Sequence, residues 1–448
     1  MKAKKIILVG AALGLASIAA QAQSTDQLQQ ALAQAQAAAA QAQAAAKQAQ
    51  AALEQALAAA YEARKSATVA APAAEKSGGG SLTVSSGASS ATLYGLIDVT
   101  ISNVDHKDAS NNSLNGFQTP WFSGSRWGVT GSRDLGSSGL KAIFRLESEF
   151  VPATGDMDTE GYLFNRDAWA GFQSEELGKL SFGRQNALGR DFSAIYGDPY
   201  GTTKASVEEG GYTNTNNFKQ MVYYGGSANG TRINNGVVWK KAFAGGLVAG
   251  VAYSFGTAAG VNNATPTGST AANPSEGTTI SMALGYNAGD LNLAGFATQA
   301  KVDGLTDNAY SVGGNYTMGA VRLNAGYFRY TAEQGALGNR TDDAYTLSVK
   351  YAPAGSLDYE LGYQNMKASN AANNGKGGTV KNAFASIAGL TAVTSGNRST
   401  LYGSMFYHFD KSTEVYIAAD YLKLDTGYGN VNGADTQTEV GIGLRTRF

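Results

Sequence analysis

At 448 residues, with 57 glycines, seven prolines and no cysteine, the chain can hold neither disulfides nor zinc-thiolate sites nor a thiol nucleophile. Its formal charge of −1 leaves no nucleic-acid footprint. The hydrophobic fraction is an ordinary 43%, and beyond the first twenty residues no run of about 18 apolar residues offers a spanning helix, so a membrane protein made from this chain has to be a closed barrel.

In chain order, Lys2, Lys4 and Lys5 precede an apolar run over 6–20, and Ala20-Gln21-Ala22 fits the small-residue cleavage pattern. Residues 1–22 therefore read as a signal peptide. It takes three of the 34 basic residues with it and no acid, leaving a mildly acidic mature chain.

Residues 23–65 are a different material, almost entirely Ala and Gln with a few Leu, and both Ala and Gln favour helix. A heptad register fits, with Leu28, Leu32, Ala35, Ala39, Ala42, Ala46, Ala49, Leu53, Ala56 and Ala60 on the seam of a periplasmic coiled coil about 60 Å long. A low-complexity spacer has the same composition, but Leu at both ends of the seam and the lack of Gly and Pro favour the coil. Its all-Ala centre buries little area per layer, so the coil needs another part of the protein to hold the chains together. Pro72 and Gly78-Gly79-Gly80 then mark 66–90 as a flexible linker.

From Ala91 the period becomes two. Val440, Ile442, Leu444 and Phe448 share one face of the last segment, while Gly441, Gly443, Arg445 and Arg447 share the other. Short turns at 134–139, 175–178, 244–246, 288–290, 318–320, 352–356 and 410–413 alternate with long connections that include 106–119, 186–231, 257–277, 368–397 and 426–436. This predicts an all-β fold over 91–448, an antiparallel transmembrane β-barrel of about sixteen strands with both chain ends on the short-turn, periplasmic side. The connection over 186–231 is far too long for an ordinary loop, and its flanks 179–184 and 232–243 alternate. It is expected to fold inward as the third loop, its acids facing arginines on the wall.

The barrel opens with Leu93-Tyr94-Gly95-Leu96-Ile97-Asp98. Ser125-Arg126-Trp127-Gly128, Asp134-Leu135-Gly136, Gly139-Leu140-Lys141-Ala142, Phe164-Asn165-Arg166 and Leu180-Ser181-Phe182-Gly183-Arg184-Gln185 follow, then the strand from Arg232 to Trp239 and a closing Arg447-Phe448. In this order the motifs resemble the trimeric general porins of Gram-negative outer membranes across the whole barrel. The resemblance implies a water-filled homotrimeric channel for small hydrophilic solutes and ions, contacting outer-membrane lipid and lipopolysaccharide, with Phe448 as the signal read during assembly. It also implies a constriction formed by Arg126, Arg166 and Arg232 opposite loop acids, here Asp191, Asp198, Glu208 and Glu209. The loop is longer than usual, and 218–224 could add a strand within it, which leaves open which acids reach the constriction. A rim salt bridge or a lipopolysaccharide contact is the plainer role for each arginine.

Other chemistry is thin. No phosphate loop, H-E-x-x-H or G-x-S-x-G occurs, and His106 and His408 are expected on opposite rims, so neither catalysis, a metal nor a cofactor is expected. An outer-membrane hydrolase is a distant alternative. A barrel anchoring a tether to peptidoglycan is a closer one, and it is compatible with a pore.

Overall fold

Strict alternation of apolar and small or polar side chains can bury only one face per strand, and with no edge tolerated in lipid the sheet has to close on itself. The structure, a computed structural model, describes residues 73–76 and 81–448, apart from 107–109, 111, 119–120, 137–138, 198–199, 209–225, 229, 257–276, 303, 374–388 and 429–433. The leader over 1–22 and the coil over 23–65 lie outside the described residues.

The strands are β1 (Ala73–Lys76), β2 (Leu82–Ser86), β3 (Ser89–Val104), β4 (Leu114–Gln118), β5 (Ser125–Asp134), β6 (Lys141–Phe150), β7 (Asp167–Ser174) and β8 (Gly178–Asn186). After the helix α1 (Leu188–Gly197) come β9 (Arg232–Ala242), β10 (Leu247–Ser254), β11 (Thr279–Ala288), β12 (Leu291–Val302), β13 (Leu305–Met318) and β14 (Val321–Glu333). The last five are β15 (Asn339–Tyr351), β16 (Leu357–Asn373), β17 (Ala392–His408), β18 (Thr413–Thr426) and β19 (Thr436–Arg447). β3 and β5–β19 form a closed wall of sixteen antiparallel strands. Closure runs from Glu439↔Val104 to Arg447↔Leu96 on one side of β3, and from Ser89↔Arg133 to Leu96↔Arg126 on the other.

Each of the seven short turns falls where the alternation breaks, and β3 starts and β19 ends on that same rim. On β11, Ile280, Met282, Leu284 and Tyr286 point outward while Thr279, Ser281, Ala283 and Gly285 face the lumen. The outer face is an aliphatic band between aromatic girdles. Phe243, Tyr286, Tyr316, Tyr351, Tyr407 and Phe409 mark the short-turn rim, and Tyr253, Phe255, Tyr310, Tyr345 and Tyr421 the other.

The stretch expected as linker differs in its second half. β2 pairs with the start of β3, from Leu82↔Leu93 to Ser86↔Ser89, and β1 pairs with β2. Leu82-Thr83-Val84 is a short alternating run, and the two-residue turn Gly87-Ala88 uses a φ of 57° that glycine adopts without strain. β2 occupies the length of β3 that β19 leaves unpaired.

Candidate functional site

The hydrophobic core lies inside the barrel, between α1 and the inner wall of β10–β14. Leu188, Phe192 and Ile195 recur at helical spacing, and with Tyr196 they make one apolar face, all fully buried. That face meets glycines and alanines on the wall, with Phe296 and Phe328 in the same cluster. A Cβ at Gly250 would lie 3.0 Å from Leu188, and one at Gly326 would lie 2.4 Å from the Tyr196 ring. Each large apolar side chain so buried contributes roughly 1.5–3 kcal/mol.

Polar wall groups then satisfy the loop backbone. The Tyr196 hydroxyl is 2.7 Å from Ser311 Oγ, and Asn315 Nδ2 donates to the carbonyls of Ile195 (2.7 Å) and Thr203 (2.8 Å). Asn287 accepts from the amide of Ala205 and donates back to its carbonyl. Between these anchors the chain crosses the lumen. Tyr200 packs against Phe406 on β17, with ring centres 4.4 Å apart, and against Phe122 at 5.7 Å. The connection over 186–231 thus enters the barrel, starting at β8 and touching the far wall at Tyr200.

Charges gather beside the helix. Arg126 on β5 stands opposite Glu149 in register, Arg166 immediately precedes β7, and Arg232 opens β9. Arg166 pairs with Glu147 and Glu149, and Arg232 Nε is 3.4 Å from Asp167 Oδ1. Arg145 lies 2.9 Å from Glu147 and 3.5 Å from Asp167, and its Nε donates to the Tyr94 hydroxyl, which in turn donates to Glu147. Arg126, Arg166 and Arg232 are close enough to act on one another electrostatically. The carboxylate partners of Arg145, Arg166 and Arg232 come from β6 and β7. The signal was legible: in KAIFRLESEF, Arg145, Glu147 and Glu149 occupy one face at period two, opposite Phe144 and Leu146.

The loop acids are occupied elsewhere. Asp191 on α1 receives Lys240 Nζ at 2.8 Å and Asn186 Nδ2 at 2.8 Å. Glu208 receives Lys179 Nζ at 3.2 Å, and its carbonyl receives Lys240. Lys179 and Lys240 face each other across β8 and β9, with Lys179 over the Trp169 ring. Asp198, Glu209 and the segment 218–224 lie outside the described residues. Sequence reasoning passed over Arg190, which α1 brings to the same cluster.

The opening motif has a structural use for three of its residues. Tyr94 joins the Arg145–Glu147 pair, and Gly95 receives the ring of Phe448. Asp98 accepts from Tyr416 (2.6 Å) and from the amide of Ser123 (2.9 Å), folding the chain before β5 inward so that Phe122 meets Tyr200. His106 follows β3 at the long-loop rim, and His408, bracketed by Asp358 and Glu414, ends β17 at the other. Among the described residues no group of acids and histidines could hold a metal ion.

An aliphatic outer band between aromatic girdles, a polar and charged lumen, and a long loop folded inside define a membrane-spanning β-barrel with an aqueous interior. No helix among the described residues is long and apolar enough to cross a membrane. The chain belongs to the Gram-negative porin family, whose model matches residues 31–427. It is 31% identical over 398 residues to an outer membrane porin protein of Bordetella pertussis, covering 80% of this chain and 94% of that one. With outer membrane porin protein 32 of Delftia acidovorans it shares 28% over 371 residues, 80% of this chain and 94% of the other. Among solved structures, the anion-selective porin from Comamonas acidovorans superposes with a TM-score of 0.60 at 23% identity, over 80% of this chain and all of that one. The trimer form of OmpT from Vibrio cholerae gives 0.56 at 17%, over 81% of this chain and all of that one. The protein is an outer-membrane porin of a Gram-negative bacterium.

Proposed function

We propose that the barrel is a homotrimeric channel for passive diffusion of small hydrophilic solutes, weakly preferring anions, with its constriction between α1 and the arginines of the facing wall. The observation that carries this is the convergence of Arg126, Arg166 and Arg232 on one side of the lumen while the loop acids Asp191 and Glu208 are held by Lys240 and Lys179. In a narrow aqueous passage with low-dielectric walls the nearest charges dominate the field, so local sign outweighs the acidic balance of the whole chain. The Comamonas acidovorans structure with the same fold is an anion-selective porin, and OmpT of Vibrio cholerae has a trimer form; both support the reading.

The test is the reversal potential in a tenfold KCl gradient across a planar bilayer. Wild type prefers anions at low salt and drifts toward indifference near 1 M, where the Debye length falls to about 3 Å from about 10 Å at 0.1 M. Replacing Arg126, Arg166 and Arg232 together by Gln shifts the preference to cations and leaves the trimer assembled. Equal reversal potentials for wild type and triple variant would remove these arginines from the constriction.

The work is transport rather than catalysis. Residues 23–65 add a trimeric periplasmic coil that stabilises the trimer or acts as a spacer against peptidoglycan, and lipid and lipopolysaccharide surround the outer band. Phe448 is the assembly signal.

A further inference from the structure

We infer that Arg190, carried by the loop helix, is a further selectivity-determining residue: with Arg126 it supplies the positive charge that the acids of the constriction leave uncancelled. This rests on the channel reading above. Three wall guanidiniums, Arg145, Arg166 and Arg232, are ion-paired with three carboxylates, Glu147, Glu149 and Asp167. Asp191 and Glu208 are matched by Lys240 and Lys179. Arg126 and Arg190 have no ion pair among the described residues.

Helix geometry aims Arg190 at the cluster. Leu188, Phe192 and Ile195 face the glycine-lined wall, and a residue two positions from both Leu188 and Phe192 falls on the opposite side. There Arg190 comes within electrostatic reach of Arg232, Arg166 and Arg126. It is only 8% exposed, and its Nε has no hydrogen-bond partner among the described residues. Burial, reinforced by these three like charges, pushes its guanidinium down to about 9.

Among the described residues only the neighbouring Asp191 favours a cation here, and its carboxylate already receives Lys240 and Asn186. Arg190 sits in the first turn of α1, at the positive end of the helix dipole, where an acid is favoured. A buried charge with no ion pair among the described residues, beside three like charges, costs stability on each count. Neutral residues of similar length would satisfy the helix better, so the charge is retained for what it does to the field in the passage.

Full-length trimers of wild type, Arg190→Gln, Arg190→Lys and Arg126→Gln are compared in the same bilayer gradient at low salt. Arg190→Gln is expected to lower the anion-to-cation permeability ratio by about twofold or more, as Arg126→Gln does, while Arg190→Lys keeps it near wild type. A shift with Arg126→Gln and none with Arg190→Gln would overturn the role of Arg190 and leave the channel reading standing. No shift with either variant would remove the charge reading and this inference with it. Should Arg190→Gln not assemble, Arg190→Met serves as the neutral variant, and failure of both would make the residue structural and overturn the inference.

Discussion

Tyr196 lies so close to Gly313 that a Cβ on the glycine would be 2.5 Å from the ring. One aromatic side chain from a loop helix thus fixes what strand β13 can carry. Overpacking of this kind typically costs about 1–3 kcal/mol and moves the intruding group. Gly313→Ala is therefore expected to lower the temperature at which the barrel unfolds in detergent and to change single-channel conductance, because α1 has to shift. If both stay at wild-type values, the helix does not rest on this wall.

The far anchor of the loop is Tyr200, between Phe122 and Phe406 and with Lys350 Nζ 4.3 Å from its ring centre. Tyr200→Ala removes that contact and is expected to make the open-channel current noisier. Shortening the loop between Gly201 and Gly230 is expected to raise conductance and relax the size limit for uncharged sugars in liposome swelling. An assembled deletion variant with unchanged conductance would show that the segment does not set the bore.

At the seam, Gly95 donates to the Phe448 carbonyl at 2.8 Å and accepts from its amide at 3.0 Å, while a Cβ on Gly95 would stand 2.2 Å from Phe448 Cζ. Gly95→Ala should slow or prevent closure, seen as loss of the heat-modifiable folded band on a gel. In refolding from denaturant into detergent, where no assembly machinery reads Phe448, adding Phe448→Ala removes the colliding ring, so the two effects should be strongly non-additive. Additive losses would mean that the ring does not cover this glycine when the barrel is folded.

Stability supplies a check on Arg190 independent of ion flow. Arg190 is buried with no ion pair among the described residues, so Arg190→Gln should raise the unfolding temperature of the trimer or leave it unchanged. A marked fall would indicate an unrecognised acid partner.

For the coil, cysteines at Ala46 are expected to cross-link into trimers in the intact protein, whereas an isolated 24–65 peptide at micromolar concentration stays monomeric, since barrel association raises the effective concentration of the helices. Absence of cross-links in the assembled trimer would sink the coil.

How much of this the sequence disclosed depended on how local each signal was. Val440, Ile442 and Leu444 announce their outward face by spacing alone, and the turn at Ala288–Asp290 is audible within its own few residues, so strand count and closure could be read directly. The apolar spacing of Leu188, Phe192 and Ile195 is equally local, yet its partner surface is a row of glycines on strands up to about 140 residues away, which no window along the chain brings together. The arginines were found through neighbouring motifs. Their carboxylate partners were missed because Glu147 and Glu149 lie outside those motifs, on the strand that continues from Lys141-Ala142. The linker was misjudged in part because Pro72 and three consecutive glycines overshadowed the brief alternation that makes β2.

The clasp between Gly95 and Phe448 has a practical corollary for anyone handling the protein. Both backbone groups of the final residue are spent on closing the cylinder, and its ring fills the space above the first wall strand. A purification handle fused after Phe448 would have to leave from inside a finished joint, so labels and affinity sequences belong ahead of the barrel, after the leader's cleavage site.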